Sequence, residues 1–166
     1  MTSTEKCRSV TLRLVEPKDR EVLWRWVNEP GVREASFQSE PISWDIHDAW
    51  FDARLRDSNS HLYIAVNADG RPIGQVRFER ESKSAGEVAI NISLDRSCRG
   101  AGLGATVLKS GCGLYRDREG SKLPLVGYVK SNNVSSMKMF ESAGFVHDGL
   151  VDKNSYRAVR WVLSLH

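Results

Sequence analysis

In the stretch "SVTLRLVEP", Val10, Leu12 and Leu14 alternate with polar neighbours. A period of two predicts a strand, and Pro17 ends it. The period then becomes helical. In 19–28, Val22, Leu23, Trp26 and Val27 share one face, and Asp19 stands at the capping position. A Pro-Gly break and a short helical turn follow. A second helix is predicted over 43–57, capped by Ser43, with Ile46, Ala49, Trp50, Ala53 and Leu55 as its apolar side. Two strands over 61–67 and 72–80 flank an Asp-Gly hairpin signal, and 87–94 is a third. There Glu87, Ala89, Asn91 and Ser93 face one way and Val88, Ile90, Ile92 and Leu94 the other. A glycine-rich segment leads into a helix that runs to about Arg118. A strand over 123–129, a helix over 133–144 that stops at Gly144, and two closing strands complete the chain. This order predicts an α/β fold: one mixed sheet of about seven strands with helices on both faces, in a single domain over residues 1–166.

Composition narrows the function only slightly. The 166 residues are 40% hydrophobic and 27% charged, an ordinary balance for a soluble domain with one core. A net charge of +3 is spread along the chain, which permits an anionic ligand but is weak evidence for nucleic acid, and no nucleic-acid partner is expected. No apolar run approaches the length of a membrane span, and the N-terminus does not read as a signal peptide. Cys7, Cys98 and Cys112 are odd in number and lack CxxC spacing. Neither a disulfide nor a metal site is expected, and a reducing, cytoplasmic compartment fits.

Chemistry concentrates in "LDRSCRGAGLGATVLKSG". Gly100, Gly102 and Gly104 follow Arg99 and precede a helix. The first turn of a helix carries unpaired amides and partial positive charge. Glycines let the backbone approach an anion closely. The segment suits a pyrophosphate. It ends in no Gly-Lys-Ser/Thr, and its spacing is not GxGxxG. Arg99-Gly100-Ala101-Gly102-Leu103-Gly104 resembles the R/Q-x-x-G-x-G/A motif of the GNAT superfamily of N-acetyltransferases. Downstream, "NNVSSMKMFESAGF" resembles a second segment of that family, aligning Asn133, Ser136, Met139, Phe140, Gly144 and Phe145.

The resemblance implies the GNAT fold and an acetyl-coenzyme A site. The strand over 87–94 would splay from the one over 123–129 and admit the pantetheine arm, with backbone near Leu94 pairing to it. Arg99 and the amides of Gly100, Ala101, Gly102, Leu103, Gly104 and Ala105 would hold the pyrophosphate. Asn133, Ser136 and Phe140 would lie near the pantetheine end. Many relatives place a proton-donating tyrosine where this chain has Phe140, so Tyr128 or a water is the substitute expected here. Glu87 is the expected base and His47 its rival, because an imidazole titrates near neutrality.

The N-terminal helices resemble the branch that acetylates the C4 amine of nucleotide-linked amino sugars on the way to pseudaminic acid and related nonulosonic acids. Arg25, Arg33, Arg77 and Arg80 suit its phosphates, Arg33 and Arg77 foremost; Trp44, Trp50 or Phe37 suits its rings, Trp50 foremost, and Asn91 faces the same cleft. The expected partner is a small-molecule amine, and a homodimer stays open. Two other readings stand beside it: acetylation of a protein N-terminus, and a non-catalytic acyl-coenzyme A binding module.

Overall fold

The computed structural model describes Cys7 and residues 9–165. In chain order the elements are β1 (Thr11–Leu14), α1 (Arg20–Val27), α2 (Pro30–Ala35), α3 (Trp44–Arg56), β2 (Ser60–Val66), β3 (Pro72–Glu79), β4 (Val88–Leu94), α4 (Leu103–Glu119), β5 (Leu125–Lys130), α5 (Val134–Ser142), β6 (Val146–Lys153) and β7 (Tyr156–Leu163). The sheet order is β1-β2-β3-β4-β5-β7-β6. β4 and β5 run parallel, and every other pair is antiparallel. Among the described residues no helix is long and apolar enough to cross a membrane.

Strand alternation divides the core between the two faces of this sheet. Tyr63, Val76, Phe78 and Val88 pack with Val107, Leu108 and Tyr115 of α4 and with Phe140 of α5. On the other face Leu62, Ile64 and Val66 pack with Leu23 and Trp26 of α1 and Phe51 of α3. The α4 packing is tight at Gly111, where an added Cβ would lie 2.7 Å from Val76 Cγ1 and 3.3 Å from Phe78 Cζ.

Three expectations need correction. Asp19 does not cap α1. Its buried carboxylate instead takes two 2.8 Å bonds from Arg13 and one of 2.7 Å from the Glu16 amide. Burial alone would raise this carboxyl, but those bonds outweigh it and hold it below its ordinary range. In α3 the buried side is His47 and Phe51, while Ile46 and Leu55 are exposed and so are Ala49 and Ala53. The helix is turned so that an imidazole, not an isoleucine, faces inward. Cys7 and Cys98 form a disulfide, with Cα atoms 6.1 Å apart across 91 residues of sequence. Spacing carries no sign of a pair brought together only by the fold. Cys112 is free and buried, which pushes its thiol up to about 12.

Two glycines of α4 give a matched test of this packing. Gly113 has open space where a Cβ would go. Gly113→Ala should stabilise the protein by up to about 1 kcal/mol through helix propensity. Gly111→Ala should lose about 1–3 kcal/mol to overpacking, offset in part by the same propensity gain. Thermal unfolding should therefore rank Gly113→Ala above wild type and Gly111→Ala below it.

Candidate active site

The β4–β5 ladder has two registered pairs, Val88↔Leu125 and Ala89↔Val126, and then stops. Beyond it the two strands diverge, while β4 stays paired to β3 from Ala89 to Leu94. The divergence opens toward the glycine segment. Gly100 and Gly102 both adopt left-handed backbone (φ 82° and 75°), with nothing where a Cβ would stand. Gly102 is the N-cap of the 17-residue α4, and no side chain caps the helix there. Its first amides are left without a side-chain acceptor at an exposed end. Ala101 is exposed beside them, and Ala105 lies in the first turn. Leu103 and Gly104 instead face inward, because Gly104 lies against Met139 of α5, whose Sδ would be 2.6 Å from an added Cβ.

Arg99 is not free to serve the loop as expected. Its guanidinium forms a two-pronged pair with Glu29 (2.8 and 2.7 Å) and also donates to the Leu94 carbonyl (3.1 and 2.9 Å). It ties the α1–α2 turn to the end of β4 and already covers the Leu94 oxygen. Asn133 caps α5 by accepting from the Ser136 amide at 3.2 Å. Phe140 is a core residue: buried, edge-on to Phe145 at 5.0 Å, stacked on Trp161 at 6.4 Å and pressed on Gly127. An aromatic ring without a hydroxyl belongs there.

A cavity of about 370 Å³ opens between α1, α2 and α3 on one side and β3 and β4 on the other. Arg33, His47, Trp50, Arg77 and Asn91 all line it, so the fold brings together residues far apart in sequence. Phe37 and Asn154 close one end. Their segments are held by Lys130, which donates to the Glu34 carbonyl at 2.7 Å and sits 3.8 Å over the Tyr156 ring. Gln75, missed from sequence, is buried in the wall and donates to Asn91 Oδ1 at 2.8 Å and Ser93 Oγ at 3.1 Å. Trp26, Asp95 and Glu29 were also missed as site-builders. Trp26 Nε1 donates to Asp95 at 2.9 Å, and Asp95 accepts from the Ser97 amide, fixing the turn that leads into the glycines. A tryptophan on an amphipathic helix reads as core, and it is buried core here too.

The ionisable candidates separate. Arg33 bonds only neutral oxygens: the carbonyls of Val27 (2.6 Å), Gln38 (2.8 Å) and Glu40 (3.3 Å), and Ser36 Oγ (3.2 Å). Burial lowers its pKa. Glu87 is outside this cavity, four residues along β4 from Asn91, about 13 Å of extended chain. It pairs with Arg160, which also holds Asp148, and it accepts from the Tyr128 hydroxyl at 3.3 Å. Both carboxylate oxygens of Glu87 are engaged, one by Tyr128 and one by Arg160. Tyr128 spends its proton on that carboxylate. His47 is buried with Nε2 2.8 Å from the Arg20 carbonyl. A carbonyl can only accept, so Nε2 carries the hydrogen and Nδ1 keeps its lone pair. Burial, with the charge of Arg20, holds this imidazole below its ordinary pKa against the pull of its carbonyl bond. Among the described residues no cluster of side chains could hold a metal ion.

A model of the acetyltransferase (GNAT) domain matches residues 9–146. YwnH of Bacillus subtilis (strain 168), carried under a provisional phosphinothricin acetyltransferase name, is 27% identical over 148 residues, which is 85% of this chain and 86% of that protein. An aminoglycoside N(6')-acetyltransferase type 1 of Klebsiella pneumoniae is 25% identical over 157 residues, 86% of this chain and 77% of that protein. Among solved structures, a spermidine N-acetyltransferase from Vibrio cholerae, in complex with CoA and spermine, superposes with a TM-score of 0.84 at 18% identity. It covers 94% of this chain and 95% of that one.

The His47 environment gives a stability prediction with a definite sign. Above about pH 6.5 the imidazole is neutral in both folded and unfolded chains. Below that the unfolded chain binds a proton that the folded one resists, so stability falls as pH falls toward the lowered folded value. His47→Gln keeps an N–H donor and removes the titration. Between pH 7.5 and 5.5, urea unfolding should show wild type losing more stability than His47→Gln, with an extra slope of at most about 1.4 kcal/mol per pH unit.

Proposed function

This chain belongs to the GNAT acetyltransferase family, and we propose that it carries the acetyl group of acetyl-coenzyme A to the primary amine of a nucleotide-linked amino-deoxy sugar. One observation carries the donor half of this reading: the parting of β4 from β5 beside an uncapped helix N-terminus with two open left-handed glycines. Those features fit the donor, since unpaired strand amides suit an amide-rich arm and helix amides suit a diphosphate. The donor supplies an activated thioester. The residues of this chain would supply the rest.

The amides of Gly100 to Ala105 would take the pyrophosphate, with Arg99 acting through Glu29 and Leu94 to hold the loop rather than as a ligand. Asn133 and Ser136 would border the arm from α5. The cavity supports the acceptor half. Trp50 offers a ring face, Asn91 a side chain held by Gln75, and Arg77 a cation. An alkylamine is mostly protonated near pH 7 and must lose a proton before it attacks. His47, which lines the cavity and whose Nδ1 keeps its lone pair, would accept that proton. Glu87 and Tyr128 would shape the far end of the cleft.

The test is release of free thiol from acetyl-coenzyme A by the purified protein with a panel of amines. A nucleotide-linked 4-amino sugar should support turnover, and an N-terminal peptide should not. Tight donor binding with no release on any amine would establish the non-catalytic reading instead. In the same assay Gly102→Val, which forces a β-branched residue into left-handed backbone, should weaken acetyl-coenzyme A binding about tenfold or more and leave the amine KM within about twofold.

A further inference from the structure

The wall of the acceptor cavity contains two arginines and, among the described residues, no aspartate or glutamate. This bears on what an amine must also carry in order to bind, and it rests on the acetyltransferase reading above. Several carboxylates on the elements around the cavity are committed elsewhere. Asp48 and Asp52 pair with Arg20 (2.5 and 2.7 Å), Glu29 with Arg99, and Asp95 accepts from Trp26 and Ser97. Glu79 lies 3.0 Å from Arg77 Nε, but it is shared with Arg54, also at 3.0 Å; Arg54 has a second partner in Asp57 at 3.5 Å.

The two cavity arginines differ in what they can do. Arg33 is spent on neutral oxygens, so its charge is delivered to the cavity without a counter-ion. Arg77 has a charged neighbour at one edge only. Glu79 lies 3.0 Å from Nε, an ion-pair distance without an aligned hydrogen bond, and Trp50 lies under the guanidinium with 4.9 Å between its carbon and the ring centre. Among the described residues neither Nη1 nor Nη2 of Arg77 has a hydrogen-bond partner. A planar cation fixed on a ring with its fork open is suited to the two oxygens of a carboxylate or phosphate. Burial also pulls Arg77 below its ordinary pKa despite Glu79, so the site gains from a further anion.

We propose that the acceptor is an amine that also bears an anionic group, seated on the Nη1/Nη2 fork of Arg77 above Trp50, and that polycationic amines are refused. Spermine and aminoglycosides, the kinds of amine named with the Vibrio cholerae and Klebsiella pneumoniae proteins, carry several positive charges. In this cavity they would meet Arg33 and Arg77 with no carboxylate to receive them. Arg77 is a specificity-determining residue on this view, and Arg33 sets the field while holding the loop.

Matched probes separate charge from shape. Calorimetry on protein saturated with coenzyme A, so that the pyrophosphate loop is filled, would compare glucosamine 1-phosphate, glucosamine and spermidine. Glucosamine 1-phosphate should bind about ten- to hundredfold more tightly than glucosamine, as a charge-assisted fork contact implies, and spermidine should give no heat. Arg77→Gln should collapse the phosphate preference to within about threefold, and Arg77→Lys should restore part of it. Thiol release in the same series should follow the same order. Equal affinity for the two sugars, binding of spermidine as tight as that of the phosphate, or a preference that survives Arg77→Gln would each overturn the proposal. If the anion preference holds but no amine releases thiol, the acetyltransfer reading fails and the anion site stands.

Discussion

The fold turns on one interrupted ladder in the middle of a seven-stranded sheet, the β4–β5 pairing that stops after two residue pairs. A strand flanked on both sides normally satisfies its amides and carbonyls on both edges, and leaving them unpaired in a protein interior costs free energy. β4 satisfies one edge fully through β3 and gives up most of the other after Ala89. The strand can afford this because its side chains are anchored: Val88 is fully buried, and Ile90, Ile92 and Leu94 pack against the core below. The gap is therefore held open by hydrophobic packing on one face. On the reading proposed here, the backbone groups along the gap would form a ligand surface that a side-chain mutation cannot easily erase.

The arginines around this gap show how one residue type divides its work. Arg99 bridges Glu29 to the last carbonyl of β4, Arg33 gathers the last carbonyl of α1 and two of the α2–α3 connection, and Arg160 gathers Glu87 and Asp148. Burial alone would depress Arg160, yet its bonds to Glu87 and Tyr128 hold its pKa above the usual value. Each of these is a fixed strut. Among the described residues, Arg77 alone of the cavity arginines keeps two terminal nitrogens unclaimed. Number and type of cations would have assigned all four the same role. Only the count of acceptors around each one distinguishes strut from ligand site.

The order and type of elements were legible in the sequence because they follow from periodicity and from a few punctuating residues. Ser43 and Asn133 do cap α3 and α5, and Gly144 adopts the left-handed backbone that ends the latter. Legibility failed where two neighbouring residues compete for one face. In α3, Ile46 is more apolar than His47, yet the imidazole is buried because the Arg20 carbonyl satisfies it, and Ile46 is left at the cavity rim, 65% exposed. The glycine loop was legible as a motif. The loss of Arg99 to Glu29 was not, since the partner lies 70 residues away. Cys7 and Cys98 illustrate the same limit, as do Gln75 and Asn91, which meet only because the β3–β4 register sets Gln75 opposite Ser93, two positions along β4 from Asn91.

The remaining question for the chemistry is where the proton goes, and the geometry narrows it by elimination. Phe140 has no proton to give and is sealed against Gly127, Phe145 and Trp161. Tyr128 donates its hydroxyl to Glu87, whose carboxylate is already claimed by Arg160. Neither member of that pair lines the cavity. A departing thiolate has a conjugate acid near pH 8.5 by analogy with cysteine, so it can leave with little help. The amine cannot attack while protonated, so the greater demand falls on the base. A buried imidazole that stays neutral through physiological pH accepts a proton weakly at equilibrium. Its protonation is least unfavourable when an anion sits nearby to share the field of the new charge. On the role proposed for His47, an acceptor that brought its own anion to Arg77 would assist the imidazole that takes its proton, and substrate charge and base strength would be set by one binding event.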